Sequence, residues 1–423
     1  MKRNFGFINV TTALTLVFAL TTLITHAQAQ DPQGMTIEQY RAARKEAAHK
    51  QRRIIMNNDG NDARTKDQEH TVDNFLMNRS TPLAGSQVDA IFYCTGVFNL
   101  YTQPSTETEL RGHGDKESLD WAWELTKLGT DSLTEIIKFA HANKMEAFWS
   151  MRMNDTHDSG DNALLCKWKQ DHPDYLMGKK GDKFPHGGGR WSAVNYGLPE
   201  VRDKVFRILA DVCTRYDVDG LELDFFRHPV YFKPQMTGEP VTQEHCDMMT
   251  ELIRRVRVMT EDVGKKRGRP VLISIRVPDS LGYAQGIGLD WERWLKEDLV
   301  DIVSLSGYFH LEPWENMVAI GKKYDAPVYA CLSGSRVVSP SNPEGGREDA
   351  KPLWRGEARA ALEAGVSGIY TFNLFSPKSE LFREMGSLDT LPKADGPYKQ
   401  ITGDPKTMER WLKGGSGFLK LPL

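Results

Sequence analysis

The sequence predicts an α/β fold, and within that class a (β/α)8 TIM barrel with long βα loops. Eight short apolar or β-branched runs alternate with longer segments of helical periodicity, which indicates a parallel sheet, and eight such units close a barrel. The alternative is an open doubly wound sheet, which would usually carry a glycine-rich phosphate loop after its first strand, and no such loop is present. The predicted strands are residues 53–58, 88–94, 146–153, 219–225, 270–277, 300–306, 327–332 and 367–373.

The clearest predicted helix covers residues 199–216. Pro199 suits its first turn, where a missing N–H costs nothing, and apolar residues then recur at helical spacing and form one stripe. A polar helix rich in Ala, Lys, Arg and Gln is predicted over residues 30–52, ahead of the first strand. The other predicted helices are residues 131–143, 243–263, 289–298, 312–324, 355–364 and 378–386.

Two connections, residues 95–115 and 155–195, are much longer than the others. The second is rich in Gly, His, Asp and aromatic residues. Long loops in compact domains are more often functional than decorative, so we expect this loop to contribute to a site. After residue 388 the chain is polar, and its end, GFLKLPL, is compatible with a packed strand or the stub of an accessory module.

The first residues have the pattern of a secretory signal peptide. Lys2 and Arg3 form a positive start, residues 13–24 are an apolar stretch too short to span a bilayer, and Ala27-Gln28-Ala29 is a small-x-small cleavage site. We therefore expect export to the periplasm or the medium, and a mature chain that begins at Gln30. No other apolar run reaches the length of a membrane helix. The predicted division is a signal peptide over 1–29, a catalytic barrel over 30–390 and a C-terminal tail over 391–423.

Composition excludes several kinds of partner. The 423 residues include 54 Lys and Arg against 57 Asp and Glu, for a formal net charge of −3. Binding to nucleic acid or to an anionic membrane needs a basic excess, so we expect neither partner. The five cysteines are odd in number and irregularly spaced, and no C-x-x-C occurs, which argues against a disulfide framework, a zinc ribbon or a redox motif. We predict no cofactor, and no pattern indicates an oligomeric state.

Polar groups gather at the carboxyl ends of several predicted strands, where barrel enzymes build their active sites. Residues two apart share a face of a strand, so Glu222 and Asp224 share one face of the fourth strand, and the apolar residues between and beside them face the other way. Two acids that point into a barrel are costly unless they are paired or take part in chemistry. Arg227 and His228 follow directly and would keep them ionised.

Polar residues also follow the other predicted strands. Together these strand ends predict a polar pocket that contains acidic residues. The sequence leaves two roles open for Arg152 and Arg276. Each is either a structural partner of Glu222 or a ligand of an acidic or sulfated glycan. Aromatic residues at strand ends either stack on sugar faces or are buried. The candidate substrate-binding residues are Asn58, Asp59, Tyr93, Trp149, Arg152, Asn154, Asp155, His157, Arg227, His228, Arg276, Tyr308, His310 and Asn373.

Residues 219–229 read DGLELDFFRHP. This stretch resembles the D-G-[IL]-x-[LF]-D-[DY]-[FY]-R-[YH]-P signature of glycosyl-hydrolase-like family 10, exported bacterial barrel proteins that are mostly proposed to be glycosidases. The elements HPDYL at 172–176, PEVR at 199–202 and YDVDG at 216–220 are also similar to that family. The resemblance covers roughly residues 50–390, and it implies a TIM barrel that acts on glycosidic bonds.

Comparison with other glycosidase barrels implies roles for single residues. The chitinase-like family 18 carries D-x-x-D-x-D-x-E on this strand, but Phe226 stands here where the final Glu would be, which argues against the acetamido-assisted mechanism. In α-amylase-like barrels an Asp at the end of strand four is the nucleophile and an acid near strand five is the general acid. Asp224 and Asp279 occupy those places, so Asp224 is the candidate nucleophile or base and Asp279 the leading candidate acid. Glu222 and Asp155 are its rivals for the role of the acid.

These patterns lead to one hypothesis and two alternatives. The hypothesis is an exported glycoside hydrolase that cleaves a poly- or oligosaccharide with two carboxyl groups, one ionised and one protonated. Asp224 would be the nucleophile or base, held ionised by Arg227 or Arg276. One alternative is a non-catalytic carbohydrate-binding barrel, which would not need Asp224. The other is a metal-assisted hydrolase or lyase with ligands from Asp59, Asp155, His157 and Asp224, but no spacing demands a metal and none is predicted.

Overall fold

Eight parallel strands close into a barrel, as the sequence predicts. A computed structural model describes residues 36–65, 68–112, 120–186, 190–338, 350–393, 398 and 400–421, which belong to a compact unit spanning Met35–Leu423. The predicted signal peptide lies outside the described residues. The strands are β1 (Ile54–Asn58), β2 (Val88–Tyr93), β3 (Gly96–Val97), β4 (Leu100–Tyr101), β5 (Glu109–Leu110), β6 (Glu146–Arg152), β7 (Gly220–Asp224), β8 (Leu272–Val277), β9 (Ile302–Leu305), β10 (Val328–Ser333) and β11 (Gly368–Phe372).

The barrel order is β1-β11-β10-β9-β8-β7-β6-β2, and β1 pairs in parallel with both β2 and β11. This closure confirms all eight predicted strands and excludes the open sheet. Strands buried on both faces need apolar side chains on both faces, which is why these runs are almost continuously apolar. Inward-facing side chains such as Ile55, Phe92, Phe148 and Tyr370 form one apolar cluster, and the outward-facing ones pack under the helices in another.

Helices cover the outside of the barrel. The predicted helix over 199–216 is present, and its buried stripe is the one that the spacing predicts. The helices are α1 (Ile37–His49), α2 (Val72–Arg79), α3 (Ser132–Ala142), α4 (Lys167–Asp171), α5 (Pro199–Arg215), α6 (Pro234–Thr237), α7 (Gln243–Arg267), α8 (Leu281–Gly286), α9 (Trp291–Lys296), α10 (Trp314–Lys323), α11 (Gly334–Val337), α12 (Lys351–Glu363), α13 (Leu381–Glu384) and α14 (Pro405–Trp411).

Helix α1 is fixed to the barrel by its own side chains. A capping box at Thr36 starts it, and Arg44, fully buried, forms ion pairs with Asp298 and with Asp301, the latter at 3.1 Å. Tyr40 packs against Gly264 of α7, where a Cβ atom would lie 2.3 Å from the ring. The sequence predicts this helix over 30–52, and the described helix ends at His49 because the chain there turns toward β1.

The two long loops contain structure that the sequence does not predict. The first holds the small sheet β3-β4-β5, and the second holds α4 and several short turns. The C-terminal segment packs on the barrel: the N–H of His310 donates to the carbonyl of Thr402 at 2.9 Å, and Trp411 is buried. The described part of GFLKLPL forms no strand, because its first residues complete the short 3-10 helix Gly415–Phe418.

Two further observations concern the apolar content of the helices and the cysteines. No helix in the described part of the chain is long and apolar enough to cross a membrane. All five cysteines are buried and free, which agrees with the prediction that no disulfide framework holds this fold.

Candidate active site

A cavity of about 380 Å³ lies at the carboxyl end of the barrel, within the size range of small-molecule pockets. Its wall combines segments that follow β6, β7, β9 and β10 with the C-terminal segment around α14. Four predicted site residues line it, together with seven that the sequence did not indicate. The lining residues are His157, Arg227, His228 and Tyr308, and in addition Arg190, Ser335, Gly403, Asp404, Thr407, Arg410 and Trp411.

Glu222 and Asp224 share the inner face of β7, the strand that leads to Arg227 and His228 in the cavity wall. Ser150 on β6 and Tyr370 on β11, which lies on the opposite side of the barrel, both donate hydrogen bonds to Oε2 of Glu222. The Glu222 side chain therefore points into the barrel, as its spacing predicts. Asp224 and Glu222 have no exposed surface.

The two carboxyl groups have different surroundings. Asp224 accepts hydrogen bonds from Arg276 at 2.8 Å and from the backbone N–H groups of Phe226 at 2.9 Å and Arg227 at 3.0 Å. Three donors, one of them charged, therefore surround the Asp224 carboxyl group. Burial and the nearby charge of Asp224 raise the pKa of Glu222 to about 8.

A chain of hydrogen bonds connects buried Asp155 to the cavity wall. Oδ1 of Asp155 lies 2.7 Å from Nδ1 of His157, and Arg227 lies 2.8 Å from Nε2 of His157 and donates to the Tyr308 hydroxyl at 2.8 Å. Because a guanidinium can only donate, Nε2 of His157 accepts and the ring proton is on Nδ1. Burial opposes ionisation of Asp155, but His157 and Arg152 hold its pKa well below the usual range.

His228 has a different tautomer. Its backbone is left-handed, with φ of 56°, and its Nδ1 accepts the backbone N–H of Thr156 at 3.0 Å, so the ring proton is on Nε2. Burial, then the charge of Arg227, keeps the pKa of His228 well below its usual value. In the cavity wall, Nε2 of His157 therefore accepts a hydrogen bond, whereas Nε2 of His228 can donate one.

Arg152 and Arg276 act as structural partners of acids. Arg276 pairs with Asp224 at 2.8 Å, and Arg152 pairs with Asp155 at 3.0 Å. Neither arginine lines the cavity. The reading as a structural partner holds for both, although their acids are Asp224 and Asp155 and not Glu222, and both charges are already neutralised.

Asp279 and His310 lie together and do not line this cavity. Oδ2 of Asp279 lies 2.6 Å from Nδ1 of His310 and accepts the backbone N–H groups of Leu311 at 2.8 Å and Glu312 at 3.1 Å. Neither side chain has exposed surface, and the His310 ring stacks on Trp314. The pair ties the loop after β8 to the loop after β9.

Asn58 and Asp59 also lie outside the cavity wall. Asn58 donates to Asp62 at 2.8 Å, and Asp59 forms an ion pair with Arg79 of α2. Burial opposes ionisation of Asp59, but Arg79 and Arg152 outweigh it and lower the pKa of this carboxyl. These contacts link the carboxyl end of β1 to Asp62 and to α2.

Tyr93 and Trp149 face the outside of the barrel, so the structure shows burial, one of the two readings that the sequence leaves open for these aromatic residues. Each follows an inward-facing phenylalanine, Phe92 or Phe148, whose rings stack at 4.3 Å inside the barrel. Alternation along a strand then turns the next residue outward. Tyr93 and Trp149 are fully buried in the core under the helices.

Asn154 and Asn373 do not line the cavity, but they form hydrogen bonds with segments that do. Asn154 exchanges two hydrogen bonds of 2.9 Å with the backbone of Val194 and so holds the long loop after β6 in place. Asn373 donates to the hydroxyl of Ser335 at 2.7 Å, and Ser335 lines the cavity. Both are positioning residues in this structure.

Residues 114–248 match the family model described as glycosyl hydrolase-like 10. The match confirms the resemblance seen in the sequence. No curated protein matches this chain. Among solved structures, the chain is similar to "Alpha-L-fucosidase isoenzyme 2 from Paenibacillus thiaminolyticus" at 13% identity and a TM-score of 0.44, covering 79% of this chain and 48% of that one.

Two other similar structures are glycosidase domains of comparable length. The chain is 12% identical to the PgaB (BpsB) glycoside hydrolase domain from Bordetella bronchiseptica, with a TM-score of 0.48 and coverage of 80% of this chain and 99% of that one. It is 12% identical to the catalytic domain of psychrophilic chitinase B from Arthrobacter TAD20, with a TM-score of 0.47 and coverage of 84% and 99%.

The segment that matches glycosyl hydrolase-like 10 carries the main groups of the site. It includes β6 and β7, and with them Glu222, Asp224, the Asp155–His157 pair and Arg227. The segment after the last barrel strand lies outside the match, yet it supplies Arg410 and other residues of the cavity wall.

Sequence reasoning missed three prominent cavity residues, Arg190, Arg410 and Trp411. Arg190 lies in the long loop after β6, where no periodicity indicates the direction of a side chain. Arg410 and Trp411 belong to the seven-residue helix α14, in a segment whose composition resembles a tail. The sequence offers one signal for Arg410 and Trp411, which is that an arginine and a tryptophan stand side by side in an otherwise polar stretch.

Asp155, His157 and His228 bring possible metal-ligand atoms within 4.8 Å of one another. Nδ1 of each histidine already has a hydrogen-bond partner, which leaves the two Nε2 atoms. Arg227 donates to one of these at 2.8 Å, and a guanidinium at that distance opposes a cation. The donor set therefore fits a metal poorly.

Proposed function

We propose that this protein is an exported glycoside hydrolase that cleaves a glycosidic bond of a poly- or oligosaccharide with two carboxyl groups. The observation that carries the proposal is the pair Glu222 and Asp224, side by side on the inner face of β7 with one group neutral and one arranged as a carboxylate. The match of residues 114–248 to glycosyl hydrolase-like 10 supports the same class of reaction. The signal-peptide pattern supports export.

The roles follow from the two protonation states. Asp224, held by Arg276, acts as nucleophile or base, and protonated Glu222 donates to the leaving oxygen. Same-face neighbours on a strand are about 6.6 Å apart at the backbone, a spacing compatible with a glycosidase carboxyl pair. Glu222 fits the acid better than Asp279, because Oδ2 of Asp279 faces three donors from the β9 loop.

Access to the pair requires a rearrangement at Arg227. Its backbone N–H holds Asp224, and its guanidinium bridges His157 and Tyr308 in the cavity wall. A substrate that exchanges its own groups for the contacts to His157 and Tyr308 opens the route from the cavity to Asp224. The proposal therefore includes a displacement of the Arg227 side chain by the substrate, which opens the cavity toward Asp224.

A second candidate function is a non-catalytic carbohydrate-binding barrel. The full burial of both carboxyl groups favours it, since a binding site needs only the cavity wall. The two candidates differ in what they require of Asp224.

The test is hydrolysis of a panel of neutral, amino and acidic glycans by the mature protein, read as released sugars. We expect release by the wild type and none by Asp224→Asn. Asp89→Asn is the matched control, because Asp89 pairs with Arg53 near the amino end of β2, far along the strand from the cavity. Equal release by wild type and Asp224→Asn would overturn the assignment, and release by neither, with glycan binding retained, would favour the binding barrel.

A further inference from the structure

Three arginines from three separate segments line the cavity. Arg190 comes from the long loop after β6, Arg227 follows β7, and Arg410 lies in α14. Within the described residues, no carboxylate lies within ion-pair distance of any of the three, whereas Arg152 and Arg276 both have one. Asp404 also lines the cavity, but its Oδ1 caps α14 by accepting the N–H of Lys406.

The arrangement is electrostatically unfavourable without an anion. Burial lowers the pKa of Arg190, and the charges of Arg410 and Arg227 add to this effect. The Nε atoms of Arg190 and Arg227 are buried without a hydrogen-bond partner in the described structure. A guanidinium group removed from water needs an acceptor, and planar oxyanions fit its paired donors.

Other cavity groups suit a sugar that carries such an anion. Tyr308, which is partly exposed in the cavity wall, offers aromatic surface of the kind on which pyranose rings stack. His228 can only donate from Nε2, because its Nδ1 accepts from Thr156. A cavity of about 380 Å³ holds a small molecule or one part of a chain, so it does not suit a nucleic-acid backbone.

We propose that this cavity is a subsite for an acidic sugar, in which Arg190, Arg227 and Arg410 bind a carboxylate or sulfate group of the substrate. The proposal rests on the proposed function insofar as it takes the ligand to be a saccharide. The sequence suggested Arg152 and Arg276 as ligands of an acidic glycan, but both form ion pairs with acids of the barrel. The proposal assigns this role to the three arginines of the cavity wall instead. It also makes the C-terminal segment part of substrate recognition.

The test is calorimetric binding of three monosaccharides to the full mature chain: glucuronate, glucose 6-sulfate and glucose. We expect glucuronate or glucose 6-sulfate to bind at least about tenfold more tightly than glucose, as for a charged hydrogen-bonded pair. The stronger of the two acidic ligands identifies the carboxylate or the sulfate. Glucose that binds as tightly as both acidic sugars, or no binding of any of the three, would overturn the proposal.

Variants locate the binding site. Arg190→Gln should lower the affinity for the acidic ligand about tenfold or more. Arg410→Gln should lower it only about threefold, because Arg410 is exposed and solvent screens its charge. Arg383→Gln is the control, since Arg383 is exposed and donates only to the carbonyl of Pro82. Unchanged affinity in Arg190→Gln would contradict the proposal. Binding is measured without turnover, so a protein that binds glucuronate but hydrolyses nothing refutes the proposed function and leaves the subsite standing.

Discussion

At the scale of the residue, one strand holds two acids in different surroundings. Asp224 receives three donors, including Arg276, whereas Glu222 lies deeper in the barrel and receives only hydroxyl groups. Burial therefore dominates at Glu222 and raises its pKa, with the charge of Asp224 adding to the shift. Glycosidic cleavage needs this division between a neutral and an ionised carboxyl group.

The raised pKa of Glu222 predicts a pH-dependent stability. Between the unfolded value near 4.5 and about 8, the folded protein keeps a proton that the unfolded chain releases, so wild-type stability falls as pH rises through this window. Glu222→Gln carries no such proton. Its free energy of unfolding relative to wild type should rise between pH 5 and pH 8, by up to a few kcal/mol at about 1.4 kcal/mol per pKa unit.

Urea unfolding of both proteins at pH 5 and pH 8 measures this difference. A difference that stays constant across the two pH values would show that Glu222 is ionised in the folded protein. That result would also remove Glu222 as the proton donor at neutral pH.

Strand alternation made part of the site predictable at this scale. It placed Glu222 and Asp224 inside the barrel, and it brought His157, Arg227, His228 and Tyr308 to the correct end. The same rule, applied to Tyr93 and Trp149, points them outward, because each follows an inward-facing phenylalanine. A position at the end of a strand therefore does not by itself place a side chain in the site, because the side chain must also lie on the inner face of the barrel.

At the scale of the element, the C-terminal segment is held to the barrel by a buried ion pair. Arg336 after β10 and Glu357 on α12 have no exposed surface, and Glu357 accepts the N–H of Ile401 at 2.9 Å while Arg336 donates to the carbonyl of Ile401. Residue 401 precedes the part of the segment that lines the cavity. The pair therefore positions α14 over the barrel.

Breaking this pair should be costly. Arg336→Met leaves Glu357 buried without its counter-charge and should lower the free energy of unfolding by about 3–5 kcal/mol. Arg254→Met removes one side of the exposed pair with Glu297 and should cost less than about 1 kcal/mol. Urea unfolding compares the two variants, and an equal cost for both would refute this role of the buried pair.

Helices and strands whose apolar residues recur at a regular spacing are predictable from the sequence, and elements without such a pattern are not. The stripe on α5 and the apolar runs of the barrel strands give clear signals. Helix α2 buries only Phe75, so its sequence shows little helical pattern, and β3, β4 and β5 have two residues each. Such elements form because the barrel already positions their ends, which is a tertiary effect that no local pattern contains.

At the scale of the whole molecule, closure of the barrel assembles the site. Glu222 on β7 is linked to Tyr370 on β11 across the interior, and segments after four different strands meet at one cavity. The sequence predicts this gathering in outline, since carboxyl ends of parallel strands meet at one end of a barrel. It does not predict the covering of that end by α14, because contacts between distant segments depend on the folded shape.

The most direct measurement of the central claim compares catalysis and binding in one variant. For the saccharide that the wild type cleaves, we predict that Asp224→Asn binds with a dissociation constant within about threefold of wild type, since Asp224 lies outside the cavity wall, but loses at least about a thousandfold in kcat. Retained kcat in Asp224→Asn would contradict the account, because the barrel would then act without the carboxylate on which the proposed mechanism depends.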